Sequence, residues 1–164
     1  HYGGKSNSVM RGLQEAHNDL VMLFDADLVN LQPHNITALI EPVSSGAVDM
    51  TVSMRSNSLP FYRWFGNDFV SGERVFSKRL IPDISALGRL KGFELEVFLN
   101  KLVVAGRRHI RVIHWDNVTC LLKSKKFGFW DGWWRDVKMT REIIRYMTLR
   151  GVIRQYRDLL ALRR

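Results

Sequence analysis

The stretch LVMLFDADLVN, residues 20–30, runs five apolar residues into two acids spaced one apart. Entered from Asn18-Asp19, such an apolar run reads as a buried strand. Two carboxylates at its end oppose each other's ionisation unless a cation lies between them. In extended chain, residues i and i+2 project to the same side, so Asp25 and Asp27 can reach one ion while Ala26 faces away. Hard divalent ions such as Mg2+ and Mn2+ take carboxylate oxygens, with phosphate oxygens and waters completing the shell. The stretch therefore predicts a strand that brings a metal to phosphate chemistry at its carboxyl end. The plainer alternative has one Asp capping the next turn and the other solvated.

Working outward, Val9, Leu13 and Ala16 recur at helical spacing after the cap candidates Ser6 and Asn7. Pro33 suits the first turn of a second helix with an apolar stripe of Ile36, Leu39, Ile40 and Val43, and Gly46 suits its end. Val48, Met50, Val52 and Met54 then alternate with polar neighbours, predicting a strand that ends at Arg55. Residues 56–67 read as a loop, with a turn at Ser71-Gly72. Leu95, Phe98, Leu99 and Leu102 give a third helix ending at Gly106, and 110–115 alternates as a strand where mixed pairing is expected. The order αβαβ predicts an α/β fold with a mostly parallel sheet, whose ligands bind beyond the carboxyl ends of the strands. Asp25, Asp27 and Arg55 all fall at such ends.

The chain has 164 residues, 46% of them hydrophobic, enough for a sizeable core. One cysteine, Cys120, excludes an internal disulfide framework and fits a reducing, cytoplasmic compartment. No run of 18 apolar residues occurs, and nothing at the start of the chain resembles an export signal. The formal net charge of +9 is uneven: residues 1–82 carry 7 Lys/Arg against 8 Asp/Glu, and residues 83–164 carry 18 against 8. Such asymmetry implies a polyanionic neighbour, a membrane surface or a nucleic acid, or else a solvated basic face.

At the start of the chain, Gly3-Gly4-Lys5-Ser6 precedes a helix and places amides and a Lys near an anion, without the spacing of a P-loop. Taken in order, GKSNSVMRGLQEA (4–16), LVMLFDADL (20–28), Arg55, DFVSGERVFSKRLI (68–81) and GFELEVFLN (92–100) resemble the family 2 glycosyltransferases of the GT-A fold. The nearest look is to polyprenyl-phosphate sugar synthases of the dolichyl-phosphate mannose synthase type. The resemblance covers about residues 3–126 and implies that the opening strand-helix-strand unit of the fold is missing. It implies an enzyme that transfers a sugar, with inversion, from a nucleotide-diphosphate donor to a lipid-phosphate or other membrane-proximal acceptor, using Mg2+ or Mn2+. A fragment lacking that unit is expected to be inactive alone.

By the same resemblance, Asp25 and Asp27 hold the metal, with His114 a further candidate ligand. Lys5, Asp25, Arg55 and Arg74 bind the donor and its phosphates, and Ser71 and Arg74 the acceptor. Arg55 and Arg74 are expected to act as anion clamps, because the guanidinium fork matches phosphate geometry. Glu96 matches the acid of the family's G-[FY]-x-x-E segment, placed to orient the acceptor or take its proton; a helix-start glutamate favoured by the dipole is the bland alternative. Glu94 is a lesser candidate.

Residues 127–164 are expected to form a separate basic tail, helical over 137–162 with a break near Gly151. Lys123, Lys125 and Lys126, Trp130, Trp133 and Trp134, and the arginines 141, 145, 150, 154 and 157 suit an anionic membrane interface. An apolar stripe packed on the domain with arginines in water is the alternative. Aromatics among basic residues also suit single-stranded nucleic acid, but no RNP, KH or zinc pattern is present, and that class leaves the Asp pair unexplained. A non-catalytic nucleotide-sugar-binding protein is the third class.

Overall fold

The computed structural model describes residues 4–56, 58, 68–120, 145 and 147–164. Helix α1 (Lys5–Glu15), strand β1 (Leu20–Leu23), the short β2 (Leu28–Val29), α2 (Pro33–Ser44) and β3 (Met50–Arg55) come first. Then follow β4 (Arg74–Ser77), two 3-10 turns (Lys78–Leu80 and Ile84–Arg89), α3 (Glu94–Ala105), β5 (Ile110–Trp115) and β6 (Thr119–Cys120). Residues 147–161 form a last helix, α4. The basic and Trp-rich segment around 123–134 lies outside the described residues.

The helix boundaries follow from their end chemistry. At α2, Pro33 needs no donor in the first turn, and the Gln32 amide donates to Asn35 Oδ1 at 2.9 Å, so the helix start is satisfied locally. Gly46, at φ 73, then turns the chain out in the left-handed region that a side chain disfavours.

The main sheet has the order β1-β4-β3-β5, and β2 and β6 form a separate two-stranded ladder. β3 and β5 pair in parallel, while β4 pairs antiparallel with both β1 and β3. Three strands thus share one direction around a single reversed one. The mixed pairing arises at β4, not at residues 110–115, which pair in parallel along their whole length. One cross-sheet row joins Leu23, Arg74, Val52 and Val112.

Because side chains alternate across a strand, the sheet divides its apolar residues between two layers. Met50, Val52, Met54, Phe76, Ile110 and Val112 meet α1, α3 and α4 on one face. Val75 and Trp115, with Ile113 half-buried, meet Leu39 of α2 on the other, where Thr51 Oγ1 also donates to the Leu39 carbonyl at 2.6 Å. Burying each such Val or Met stabilises the fold by roughly 2 kcal/mol, which is what holds the strand ends still.

The described part of the expected tail is built into this core. Leu159 is buried in the α1/α3 layer, Tyr156 sets its ring edge-on to Phe69, and Gln155 donates to the Val97 carbonyl. The Arg164 amide donates to the Ile110 carbonyl, so the chain end runs along β5. The helix break falls at Thr148 (φ 63) rather than at Gly151, with the Thr148 hydroxyl accepting from the Gly151 amide.

Candidate functional site

β1 and β3 run the same way and set Asp25 and Arg55 at one end of the sheet. β4 is reversed, so its beginning, Gly72-Glu73-Arg74, lies at that same end. α1 and α3 both begin there, contributing Lys5 and Glu96. Five segments distant in sequence therefore converge because of strand direction alone.

Lys5 Nζ donates to Asp25 Oδ1 at 2.9 Å and to Glu96 Oε1 at 2.8 Å. Burial would lower the ammonium's pKa, but Glu96 and Asp25 outweigh it and hold the group above its ordinary value. Arg55 Nη1 lies 3.9 Å from the other Asp25 oxygen. Glu96 is 2% exposed, and its Oε2 has no hydrogen-bond partner among the described residues. A buried acceptor left open costs about 1–3 kcal/mol, so this oxygen is poised to take a donor from a ligand. Asp25 rests against Gly72: a Cβ there would stand 2.6 Å from both carboxylate oxygens.

Behind this layer lies a second carboxylate, Glu73, fully buried. Ser53 donates to its Oε2 at 2.6 Å, Ser71 to the same oxygen at 2.5 Å, and Arg55 to Oε1 at 3.0 Å. A buried charge is tolerated only when paired and hydrogen-bonded, and Glu73 meets both conditions. It fixes Arg55, whose guanidinium loses through burial less than it gains from Glu73 and its acidic neighbours and so stays above its ordinary pKa.

Arg74, expected as an anion clamp, lies in the interior. It is 0% exposed, donating from Nε to the Ser71 carbonyl at 2.8 Å, from Nη1 to Asn100 Oδ1 at 2.7 Å and from Nη2 to the Phe69 carbonyl. Burial lowers its pKa to about 10, which still leaves it charged at neutral pH. Its fork ties segment 69–71 to α3. Ser71, expected at the acceptor, likewise turns its hydroxyl inward to Glu73 and Ser53. Glu94 accepts from the Lys91 amide, a helix-start role.

Asp27 is exposed and makes no hydrogen bond or ion pair among the described residues. His114 does not join it. No three His, Cys, Asp or Glu side chains among the described residues cluster as a metal site. The fit to a divalent ion rests on Asp25 and Asp27: an all-oxygen donor pair with one member open to solvent suits Mg2+ or Mn2+ if phosphate and water supply the remaining ligands.

This half-sheet, with its charged strand ends, resembles solved enzymes. Glucosyl-3-phosphoglycerate synthase from Mycobacterium tuberculosis, solved with Mn2+ and UDP-glucose, superposes with a TM-score of 0.55 at 20% identity, covering 72% of this chain and 46% of that one. The same synthase with Mn2+, UDP and phosphoglyceric acid gives a TM-score of 0.62 at 17% identity, covering 93% and 54%. The chain has part of a GT-A glycosyltransferase fold. It spans about half the length of the solved structures it matches. No protein-family model matches the chain, and no curated protein matches it.

Within this GT-A half, sequence reasoning missed Ser53 and Asn100, and it singled out the segment holding Asp68 and Glu73 without giving either residue a role of its own. Asp68, buried, accepts from Ser58 at 2.8 Å, and burial raises its pKa against the pull of Ser58 and Arg55. A glutamate two residues after a serine carries no signal for a buried acceptor. What could have marked Glu73 is its place at the start of a strand with no apolar alternation.

Proposed function

We propose that the chain is the metal- and acceptor-bearing part of a glycosyltransferase that moves a sugar from a nucleoside-diphosphate donor to a phosphate-bearing acceptor. The observation that carries this is the convergence of Lys5, Asp25, Arg55 and Glu96 at one end of the sheet. The solved neighbours bind Mn2+, UDP-glucose and phosphoglyceric acid, and the same chemistry suits this site. Asp25 and Asp27 would hold Mg2+ or Mn2+, which supplies neutralising charge to a departing diphosphate.

The chain's own residues set the remaining steps. Arg55, held by Glu73, gives fixed positive charge beside the leaving group, where it acts without reorganising, and Lys5 adds a second donor on a flexible stem. Asp25, held by both cations and by the floor at Gly72, stays in one rotamer. Glu96 Oε2 accepts a hydroxyl of the sugar or the acceptor, orienting it by a hydrogen bond. A phosphate acceptor needs no proton removed, so Glu96 positions, and it becomes a base only for a hydroxyl acceptor.

A lipid-linked phosphate is the acceptor we favour, because exposed Leu149 and Ile153 stand near arginines 150, 154 and 157 on α4. The test is transfer from a UDP-sugar with Mn2+ by the full-length protein. Asp27→Asn and Glu96→Gln should each lower kcat/KM by about a hundredfold or more. Full turnover in both variants would remove the catalytic reading and leave a binding protein.

A further inference from the structure

We propose that the Lys5 ammonium is the resident cation of Asp25, so that a divalent ion reaches the Asp25/Asp27 pair only by displacing it, an exchange that the donor diphosphate favours. Resting on the metal pair proposed above, this adds an order of loading. Both oxygens of Asp25 already face a fixed cation: Oδ1 lies 2.9 Å from Lys5 Nζ and Oδ2 lies 3.9 Å from Arg55 Nη1. Asp27 has no such neighbour among the described residues. A bare divalent ion must therefore compete with one ammonium for its oxygen and approach a guanidinium of like charge.

A diphosphate reverses that balance. It brings negative charge of its own, and it can take a donor from Lys5, whose ammonium has three on a flexible stem. The Lys5 side chain is 39% exposed, leaving it free to turn, while Glu96 Oε1 at 2.8 Å keeps it within the site after Asp25 is released. The same lysine thus blocks the empty pair and serves the loaded one. A purely structural ion pair would do only the first.

The experiment is Mn2+ titration of the full chain, followed by the paramagnetic signal of free Mn2+, with and without UDP. Unsubstituted protein, Lys5→Gln and Asp27→Asn are compared. Without UDP, Lys5→Gln should bind Mn2+ on the order of fivefold tighter, as expected for loss of a partly exposed competing ion pair. With UDP, that advantage should vanish or reverse, because the variant lacks a phosphate donor. Asp27→Asn should lose binding in both conditions. If Lys5→Gln binds bare Mn2+ no tighter while Asp27→Asn still abolishes binding, the lysine proposal is overturned and the metal pair stands. If Mn2+ binding is absent throughout, or indifferent to Asp27→Asn, the metal pair itself fails and the lysine proposal with it. Acylation of Lys5 in the unsubstituted chain gives a check free of mutation: saturating Mn2+ alone should speed it, and slowing would contradict displacement.

Discussion

At the scale of single residues, Gly72 is held to glycine by a neighbour rather than by its own backbone. The carboxylate of Asp25 occupies the space a Cβ would need, 2.6 Å from either oxygen. Gly72→Ala therefore must push Asp25 off Lys5 or shift the start of β4. We expect about a tenfold fall in kcat/KM for the donor with a cost in stability of about 1 kcal/mol, checked by steady-state kinetics beside urea unfolding. Asp68 makes the contrasting case. Burial raises its pKa above the ordinary 3.8, although Ser58 and Arg55 pull the other way. The folded protein thus holds the Asp68 proton more tightly than the unfolded chain does. Its contribution to stability is then greatest in acid and declines as pH rises from 3.8 through the raised value. Asp68→Asn keeps an acceptor for Ser58 without the charge, so its unfolding midpoint should exceed the parent's at pH 7, and the gap should close below pH 4. A variant less stable than the parent at pH 7 would show the carboxylate to be favourable there.

At the scale of elements, the departures from expectation have physical causes. α1, α2, α3, β3 and β5 were legible because apolar residues recur in the sequence at a period of 3.6 or 2, and β1 because it is an unbroken apolar run. β4 was not: Arg74, Val75 and Phe76 are all buried, so no polar face marks the strand. The ligand roles expected of Arg74 and Ser71 come from the family resemblance, which carries no information on burial. Lys5, Asp25 and Glu96 were legible as charges at element ends, whereas Glu73 is visible only once β4 is seen to reverse beside β3. The element account makes a prediction against the clamp account. Arg74→Met should lower stability by about 3 kcal/mol, since Asn100 Oδ1 and two backbone carbonyls lose donors. Arg74→Lys should rescue little, because one ammonium cannot match the three directions of the guanidinium. Denaturant midpoints decide it: an anion clamp predicts unchanged midpoints and weakened donor binding.

At the scale of the whole molecule, the excess positive charge and the exposed apolar residues fall in the same part of the chain. α4 cannot be a free tail, since Leu159 and Tyr156 anchor it to the core. Its outer surface still shows Leu149 at 59% and Ile153 at 62% exposure, one helical turn apart, with Leu160 further along. Arginines 150, 154 and 157 lie on the same helix, and Asp158 is its one acid. Like charges oppose pairing of this face with a second copy, whereas an anionic bilayer satisfies charge and apolar surface together. No described helix is long and apolar enough to cross a membrane. Leu149→Ser with Ile153→Ser should leave the fold intact, because neither side chain is in the core. It should weaken co-sedimentation with phosphatidylserine vesicles by roughly tenfold or more, from the apolar area no longer buried. Neutral vesicles should bind the parent poorly, and raising salt toward 0.5 M should release it by screening. Equal sedimentation of parent and double variant with anionic vesicles would confine α4 to packing, and a soluble phosphate-bearing acceptor would then fit the same site.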